Sequence, residues 1–142
     1  MALYFSAHWC PPCREFTPQL KTVYDEAKAA GKPFEVVFVS SDESPEGQAK
    51  YMTEAHGDWL AVRHDDPLRE KLKEQYSTFA GREVEKFAAV SRKEGIPTLI
   101  IVGPDGAELQ MEKNSACETG NSAITTQGVS IIDSWLQFAW PQ

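Results

Sequence analysis

The fold of this chain is decided by the stretch Trp9-Cys10-Pro11-Pro12-Cys13, which separates an apolar segment from a helical pattern. On its amino-terminal side, Met1–Phe5 has the composition of a short buried strand. On its carboxyl-terminal side, apolar residues recur on one helical face until Gly31, namely Phe16, Leu20, Val23, Tyr24 and Ala27. Because this stripe continues past Pro18, we expect the proline to bend the helix and not to end it.

The two cysteines stand three residues apart at this helix start and can close a small disulfide ring. We expect Cys10 at an exposed N-cap, where the helix dipole and free amides lower a thiol pKa from about 8.5 toward about 7. Cys10 is then the attacking thiol, and Cys13, one turn inward and much less accessible, is the resolving thiol. Pro11 and Pro12 carry no N–H, so the amide of Cys13 is the first donor available to the Cys10 sulfur.

The remaining pattern predicts an α/β fold, with a central mixed sheet flanked by helices. Phe34–Val39 is an apolar run typical of a central strand, parallel to the first through a right-handed crossover. Thr98–Val102 and Ala107–Met111, joined by Gly103-Pro104-Asp105-Gly106, predict an antiparallel hairpin. Two further helices are predicted, one from Pro45 to about Glu54 and one capped by Asp65-Asp66-Pro67 that runs through Leu68, Leu72 and Tyr76, with an extended segment at Trp59–Val62 between them. A loop is predicted over 114–127, followed by a closing helix marked by Val129, Ile132, Trp135, Leu136 and Ala139.

Composition limits the function further. A length of 142 residues with 42% hydrophobic residues predicts one domain over residues 1–142. The formal charge of −7 argues against a nucleic-acid partner, which requires a basic face. Apolar runs are too short for a membrane span, and Met1–Phe5 is too short for a signal peptide. Three cysteines, two of them closely spaced, favour a reducing compartment, so we expect a cytoplasmic protein with no membrane partner.

The segment Tyr4–Pro18 closely resembles the active-site segment of tryparedoxins and nucleoredoxins, whose hallmark is Trp-Cys-Pro-Pro-Cys followed by Arg-x-Phe-Thr-Pro. The resemblance continues through 34–43, 59–62 and 95–100. It implies the thioredoxin-like fold, Cys10 as the nucleophile, and a cis peptide bond before Pro97. For an isolated X-Pro bond a trans form would be the better prediction.

This resemblance also implies a function. Tryparedoxins carry electrons from trypanothione, a glutathione–polyamine conjugate, to peroxidases and other disulfide proteins. We therefore expect a dithiol electron carrier with the Cys10–Cys13 disulfide as its redox group and no other cofactor or metal. In this prediction Ile96 presents its backbone to an extended substrate, Trp9 shields the sulfur, and two acidic residues attract the polyamine. The predicted substrate-binding residues are Trp9, Pro11, Ile96, Pro97, Asp42 and Glu43.

Four features depart from the family pattern. The family commonly has tryptophan where Ser41 stands, the segment 77–94 is longer than usual, and the chain after Met111 aligns poorly. The chain also begins at what the family uses as a central strand. We therefore expect the usual N-terminal strand and helix to be absent, with an exposed sheet edge and self-association as consequences.

Two other functions remain open at this stage. One is a structural zinc site, built from the two cysteines with Cys117 or a histidine, His8, His56 or His64. Against it stands the Pro-Pro interior between the cysteines. The other is a redox-sensing or binding module that keeps the dithiol and turns over slowly. An oxidising isomerase is disfavoured because a Gly-His interior is lacking. We expect Cys117 to be a spare thiol, His56 and His64 to be solvated, and Arg14 to be a solvated surface base.

Overall fold

The computed structural model describes residues 1–103 and 105–113. Its five strands form one sheet in the order β3-β2-β1-β4-β5, and they are β1 (Ala2–Ser6), β2 (Val36–Ser40), β3 (Leu60–Ala61), β4 (Thr98–Val102) and β5 (Glu108–Lys113). The central strand β1 pairs in parallel with β2 and antiparallel with β4. The predicted mixed sheet is confirmed, although β2 begins two residues later than expected. Phe34, just before β2, is nevertheless fully buried.

In the described part of the chain, three α-helices connect the strands, and a 3₁₀ turn follows the third. They are α1 (Pro11–Ala29), α2 (Pro45–Ala55), α3 (Pro67–Gln75) and the 3₁₀ turn Gly81–Glu83. Each α-helix begins with a proline, whose fixed φ suits the first helical position and whose missing N–H costs nothing there. The residue before each proline caps the helix with its side chain, and these residues are Cys10, Ser44 and Asp66.

Helix α1 runs without interruption through Pro18, as the apolar stripe predicted. The bend expected there stays a prediction. All five residues of the predicted stripe are buried. The helix ends at Ala29, and Gly31 follows the C-cap Ala30 with a φ of 71°, the left-handed conformation that glycine adopts at low cost after a helix.

Strand β1 is buried on both sides, so its side chains divide the core in two. Ala2 and Tyr4 join a cluster on the side of the buried face of α1. Leu3 and Phe5 join a second cluster that contains both cysteines. Since successive side chains of a strand point to opposite faces, this one strand connects the main core to the site.

Several predictions concern residues at the margins of the described chain. The loop over 114–127, Cys117 and the closing helix over 129–139 lie outside the described residues. In the described part of the sheet, β3 forms one edge, and its Leu60 is 67% exposed. The exposed edge and the self-association expected from a missing N-terminal strand stay predictions. Within residues 1–103 and 105–113, no helix is long and apolar enough to cross a membrane.

Candidate active site

The two cysteines are joined in a disulfide at the start of α1. Cys10 is the N-cap, with extended backbone angles, and Cys13 lies in the first turn with its Cα 5.2 Å from that of Cys10. The amide of Cys13 donates to the Cys10 Sγ at 3.3 Å. This is the donor expected from the two prolines, and it stabilises negative charge on the Cys10 sulfur when the dithiol is reduced.

Both cysteines are buried while the disulfide is closed, so Cys10 is far less exposed than expected. With the disulfide closed, Cys10 is 5% exposed and Cys13 is fully buried. Cys10 is covered because it belongs to an apolar cluster with Ala7 and Ile96, against which Trp9 packs. A partner must therefore reach the sulfur through a small opening.

The peptide bond between Ile96 and Pro97 is cis, as the resemblance implied. Pro97 is buried at the start of β4, and Ile96 is 9% exposed. Ile96 belongs to the same apolar cluster as Cys10 and Cys13, so this turn lies beside the dithiol. A role of its backbone in binding substrate stays a prediction.

Trp9 is held in place on two sides. Its Nε1–H donates to the carbonyl oxygen of Ser41 at 2.9 Å. The guanidinium carbon of Arg82 lies 3.5 Å from the centroid of the indole ring, a cation–π contact. Arg82 also donates to Glu43 at 2.9 Å. Arg82 was not predicted, because it lies in a segment with no periodic pattern.

The two predicted acidic residues differ in environment. Asp42 is 4% exposed, and its carboxylate accepts hydrogen bonds from the His8 amide at 2.8 Å and the Ser40 hydroxyl at 2.7 Å. It therefore fixes the loop that precedes Trp9, and any attraction for a cationic substrate would act over a distance instead of by contact. Glu43 has a side chain 74% exposed and pairs with Arg82.

A buried ion pair lies beneath this loop. Lys73 is fully buried, and its Nζ lies 2.6 Å from a carboxylate oxygen of Glu83. Glu83 also accepts hydrogen bonds from the Ser41 hydroxyl and the Ala80 amide. Burial lowers the pKa of Lys73 to about 8 against the opposing charge of Glu83. Burial raises the pKa of Glu83, but the charge and hydrogen bonds of Lys73 outweigh it, so the net shift is downward. The one sequence signal for this pair is that Arg69 and Lys73 lie four positions apart, on the same face of α3.

Four hydroxyl groups form a buried cluster behind Cys13. Thr17 Oγ1 donates to the Cys13 carbonyl oxygen at 2.8 Å. It lies 2.7 Å from the Tyr4 hydroxyl and 2.6 Å from the Tyr51 hydroxyl, which in turn lies 2.6 Å from Ser6 Oγ. Burial raises the pKa of both tyrosines, so they remain neutral. The cluster fixes the first turn of α1, which carries the dithiol, and sequence reasoning missed it.

The histidines do not behave as predicted. His56 is 7% exposed, and its Nδ1 accepts a hydrogen bond from Trp59 Nε1 at 3.1 Å, so the prediction of a solvated side chain is wrong. Burial, aided by the charge of His8, lowers the pKa of His56 to about 3. His64 is half-buried, with Nε2 2.7 Å from the Asp42 carbonyl oxygen.

The zinc alternative can be compared with these positions. Among the described residues, no three His, Cys, Asp or Glu side chains are grouped so that they could hold a metal ion. Cys117, which that alternative also invoked, lies outside the described residues.

Comparison with known proteins identifies the family of the chain. Residues 1–108 match the family model described as thioredoxin-like. The chain belongs to the thioredoxin-like family. Among curated relatives, it is 40% identical to mouse nucleoredoxin over 107 residues, which are 75% of this chain and 21% of nucleoredoxin. The chain thus spans about a fifth of the length of that relative.

Solved structures of thioredoxin-like proteins agree. Thioredoxin from Wuchereria bancrofti is 40% identical, with a TM-score of 0.64 over 97% of this chain and 80% of its own. Tryparedoxin II complexed with glutathionylspermidine is 32% identical, with a TM-score of 0.57 over 99% of this chain and 78% of its own. The resemblance of this thioredoxin-like chain to tryparedoxins and nucleoredoxins is confirmed.

Proposed function

We propose that this chain is a thiol–disulfide oxidoreductase that carries electrons through the Cys10–Cys13 dithiol. The observation that carries the proposal is the N-cap position of Cys10, with the Cys13 amide 3.3 Å from its sulfur. A sulfur placed there is stabilised as the thiolate, which is the nucleophile of disulfide exchange.

The reaction we propose has two steps. The Cys10 thiolate attacks a sulfur of the substrate disulfide, forms a mixed disulfide, and releases one substrate thiolate, which takes up a proton. Cys13 then loses its proton and attacks the Cys10 sulfur, which closes the Cys10–Cys13 disulfide and releases the second substrate thiol. Two electrons pass to the substrate, and a low-molecular-weight dithiol returns them by attacking the closed disulfide.

The partners we propose are a low-molecular-weight thiol such as trypanothione as the donor, and a peroxidase or another disulfide protein as the acceptor, in a reducing cytoplasm. The support is the similarity to tryparedoxins, one of them solved with glutathionylspermidine. Substrate contacts are proposed for Trp9, Pro11, Ile96 and Pro97, which surround or adjoin the dithiol.

The direct test is reduction of insulin by purified protein, with Cys10→Ser, Cys13→Ser and Cys117→Ser variants. We expect Cys117→Ser to match the unaltered protein and Cys10→Ser to be inactive. Cys13→Ser should accumulate a mixed disulfide, and mass spectrometry of its peptides should locate it at Cys10. Activity of Cys10→Ser, or a mixed disulfide trapped on Cys13 in that variant, would contradict the roles proposed for the two thiols.

The donor is identified by supplying trypanothione, glutathione, or thioredoxin reductase with NADPH, and comparing rates. We expect the low-molecular-weight dithiol to be fastest, because it can form and resolve the mixed disulfide without a second molecule. A reduction potential of about −270 mV, the value of thioredoxin, supports a reducing carrier. A value of about −180 mV would favour an oxidising role.

A second candidate is a slow redox sensor or binding module of the same fold. The observation that favours it is the 5% exposure of Cys10, which restricts access to the sulfur. Such a module forms one mixed disulfide per chain but turns over slowly. Two results together would establish this alternative. The protein would reduce insulin no faster than dithiothreitol does alone, and Cys10 would be labelled stoichiometrically.

A further inference from the structure

Two departures from the family pattern contact each other in the structure. Ser41 stands where the family commonly has tryptophan, and its hydroxyl donates to Glu83, which lies within the unusually long segment 77–94. We call residues 77–94 the added segment. The small side chain of Ser41 therefore serves as a docking point for the added segment beside Trp9.

The added segment is anchored firmly enough to place its side chains. Glu83 pairs with the fully buried Lys73 of α3 at 2.6 Å. Phe79 and Phe87 within the segment are buried, with ring centroids 4.8 Å apart. Thr78 forms a parallel bridge with Glu94, which ties the two ends of the segment together. Glu83 ends the 3₁₀ turn that carries Arg82, so the anchor lies directly beside Arg82.

Arg82 is held more firmly than the carboxylate with which it pairs. Its guanidinium stacks on the Trp9 ring at 3.5 Å, and the Arg82 side chain is 50% exposed. Glu43 is 74% exposed, and exposed ion pairs of this kind contribute little stability. Glu43 can therefore swing into solvent, whereas Arg82 keeps its position and presents its charge to an incoming molecule.

We propose that Arg82 sets the charge preference of the dithiol site, so that it favours disulfides with a carboxylate beside the reacting sulfurs. This inference rests on the proposed function and names its substrate class. Trp9 precedes Cys10 directly, so a group bound to the guanidinium lies at the rim of the site. A substrate carboxylate can replace Glu43 there and take the planar, two-point hydrogen bonds that a guanidinium offers.

This proposal discriminates between glutathione-type and polyamine-conjugated disulfides. Glutathione disulfide keeps free glycine carboxylates, whereas trypanothione has converted them to amides of a cationic polyamine. Arg82 attracts the glycine carboxylates of the first and gains less from the second, so the site favours glutathione disulfide without excluding trypanothione. The tryparedoxin resemblance alone pointed to the polyamine conjugate, attracted by Asp42 and Glu43. Burial of Asp42 and pairing of Glu43 with Arg82 weaken that attraction here.

The test measures charge at the Cys10 sulfur without requiring turnover. Reduced protein is alkylated with anionic iodoacetate or neutral iodoacetamide, and the rate of labelling at Cys10 is followed by peptide mass spectrometry. The ratio of the two rates cancels any change in the thiolate fraction. We expect Arg82→Gln to lower the iodoacetate to iodoacetamide ratio about three- to fivefold, the effect in water of one unit charge about 4–6 Å from the carboxylate of the reagent.

Three further variants make the result specific. Arg82→Lys should retain part of the ratio, because it keeps the charge but loses the planar stacking. Glu43→Gln should raise the ratio, because it removes the competing carboxylate. Lys21→Gln removes one positive charge about 16 Å along α1 from Cys10 and should leave the ratio unchanged. At high salt all variants should converge. An unchanged ratio in Arg82→Gln overturns the proposal, as does an equal fall in Lys21→Gln.

A second measurement separates this inference from the proposed function. Rates of reduction of glutathione disulfide and trypanothione disulfide are compared for the unaltered protein and Arg82→Gln. We expect the preference for glutathione disulfide to fall about fivefold in the variant. If both disulfides are reduced and the preference is unchanged, the role of Arg82 is wrong while the oxidoreductase stands. If neither is reduced but the alkylation ratio falls, the proposed function is wrong while Arg82 still sets the local charge.

Discussion

His56 should make the stability of this protein fall in mild acid. Its ring is packed between aromatic side chains, with centroids 4.4 Å from Phe38 and 4.2 Å from Tyr51. Its Nδ1 accepts a hydrogen bond from Trp59, and its Nε2 has no hydrogen-bond partner among the described residues. Protonation would place a positive charge in an apolar site. The perturbation is therefore a decrease in pH from 7.5 to 5.0.

The magnitude follows from the difference in pKa between the two states. The pKa of His56 is about 3 in the folded protein and 6.5 for an ordinary histidine. Between these values the unfolded chain binds more protons than the folded one, so the free energy of unfolding falls as the pH falls. The loss is about 2 kcal/mol at pH 5 and approaches about 5 kcal/mol below pH 3. Well above pH 6.5, His56 is neutral in both states and causes no loss of stability.

The assay is urea denaturation at pH 7.5 and pH 5.0, at constant ionic strength, for the unaltered protein and His56→Phe. The variant loses the acceptor for Trp59 Nε1–H, so it should be less stable at pH 7.5 by about 1–3 kcal/mol. Its stability should nevertheless change less with pH, by about 2 kcal/mol over this interval. Every other side chain is the same in both proteins, so the difference between them isolates His56.

Two results would refute this reasoning. One is an equal loss of stability on acidification in both proteins, which would assign the pH dependence to other groups. The other is a folded-state titration of His56 near pH 6.5, measured by NMR. Tyr51 contacts both His56 and Thr17 of the hydroxyl cluster behind Cys13. The NMR titration of His56 therefore also monitors the part of the core that supports the dithiol.

Two other substitutions test the contacts around the site by urea denaturation. Lys73→Met should lower the free energy of unfolding by about 3–5 kcal/mol, because it leaves the largely buried Glu83 carboxylate without its cation. Adding Glu83→Gln should recover part of this loss. Equal stability of the single and double variants would show that the two residues are not coupled. Thr17→Val should lower the free energy of unfolding by about 1–3 kcal/mol, because it removes the hydroxyl that joins Tyr4, Tyr51 and the Cys13 carbonyl. A loss below about 0.5 kcal/mol would show that the hydroxyl cluster does not stabilise the fold.

Much of the fold was predictable because its signals are local. The apolar stripe of α1, the capping residues before each helix-starting proline, and the β-branched run of β4 each depend on residues only a few positions apart. The donor to the Cys10 sulfur was predictable for the same reason, since two prolines leave the Cys13 amide as the first available donor. The cis bond before Pro97 was different, because only the family resemblance indicated it.

The environment of each side chain was harder to predict. Cys10 was expected to be exposed and is only 5% exposed, because it belongs to an apolar cluster that includes Ile96, far along the chain. His56 was expected to be solvated and is buried among rings from β2 and α2. Both errors have one cause, since burial depends on which distant segment packs above a residue, and no local pattern encodes that.

The sequence by itself determined the dithiol, its place at a helix N-terminus, and the family to which the chain belongs. Only the tertiary structure placed Arg82 over Trp9 and joined Glu83 to Ser41 and Lys73. Ser41 and Glu83 are 42 positions apart, and the segment that brings them together has no helical or strand period. Periodicity encodes elements, whereas contacts between irregular segments arise only when the packed elements bring them together, as they do for Arg82 and Trp9.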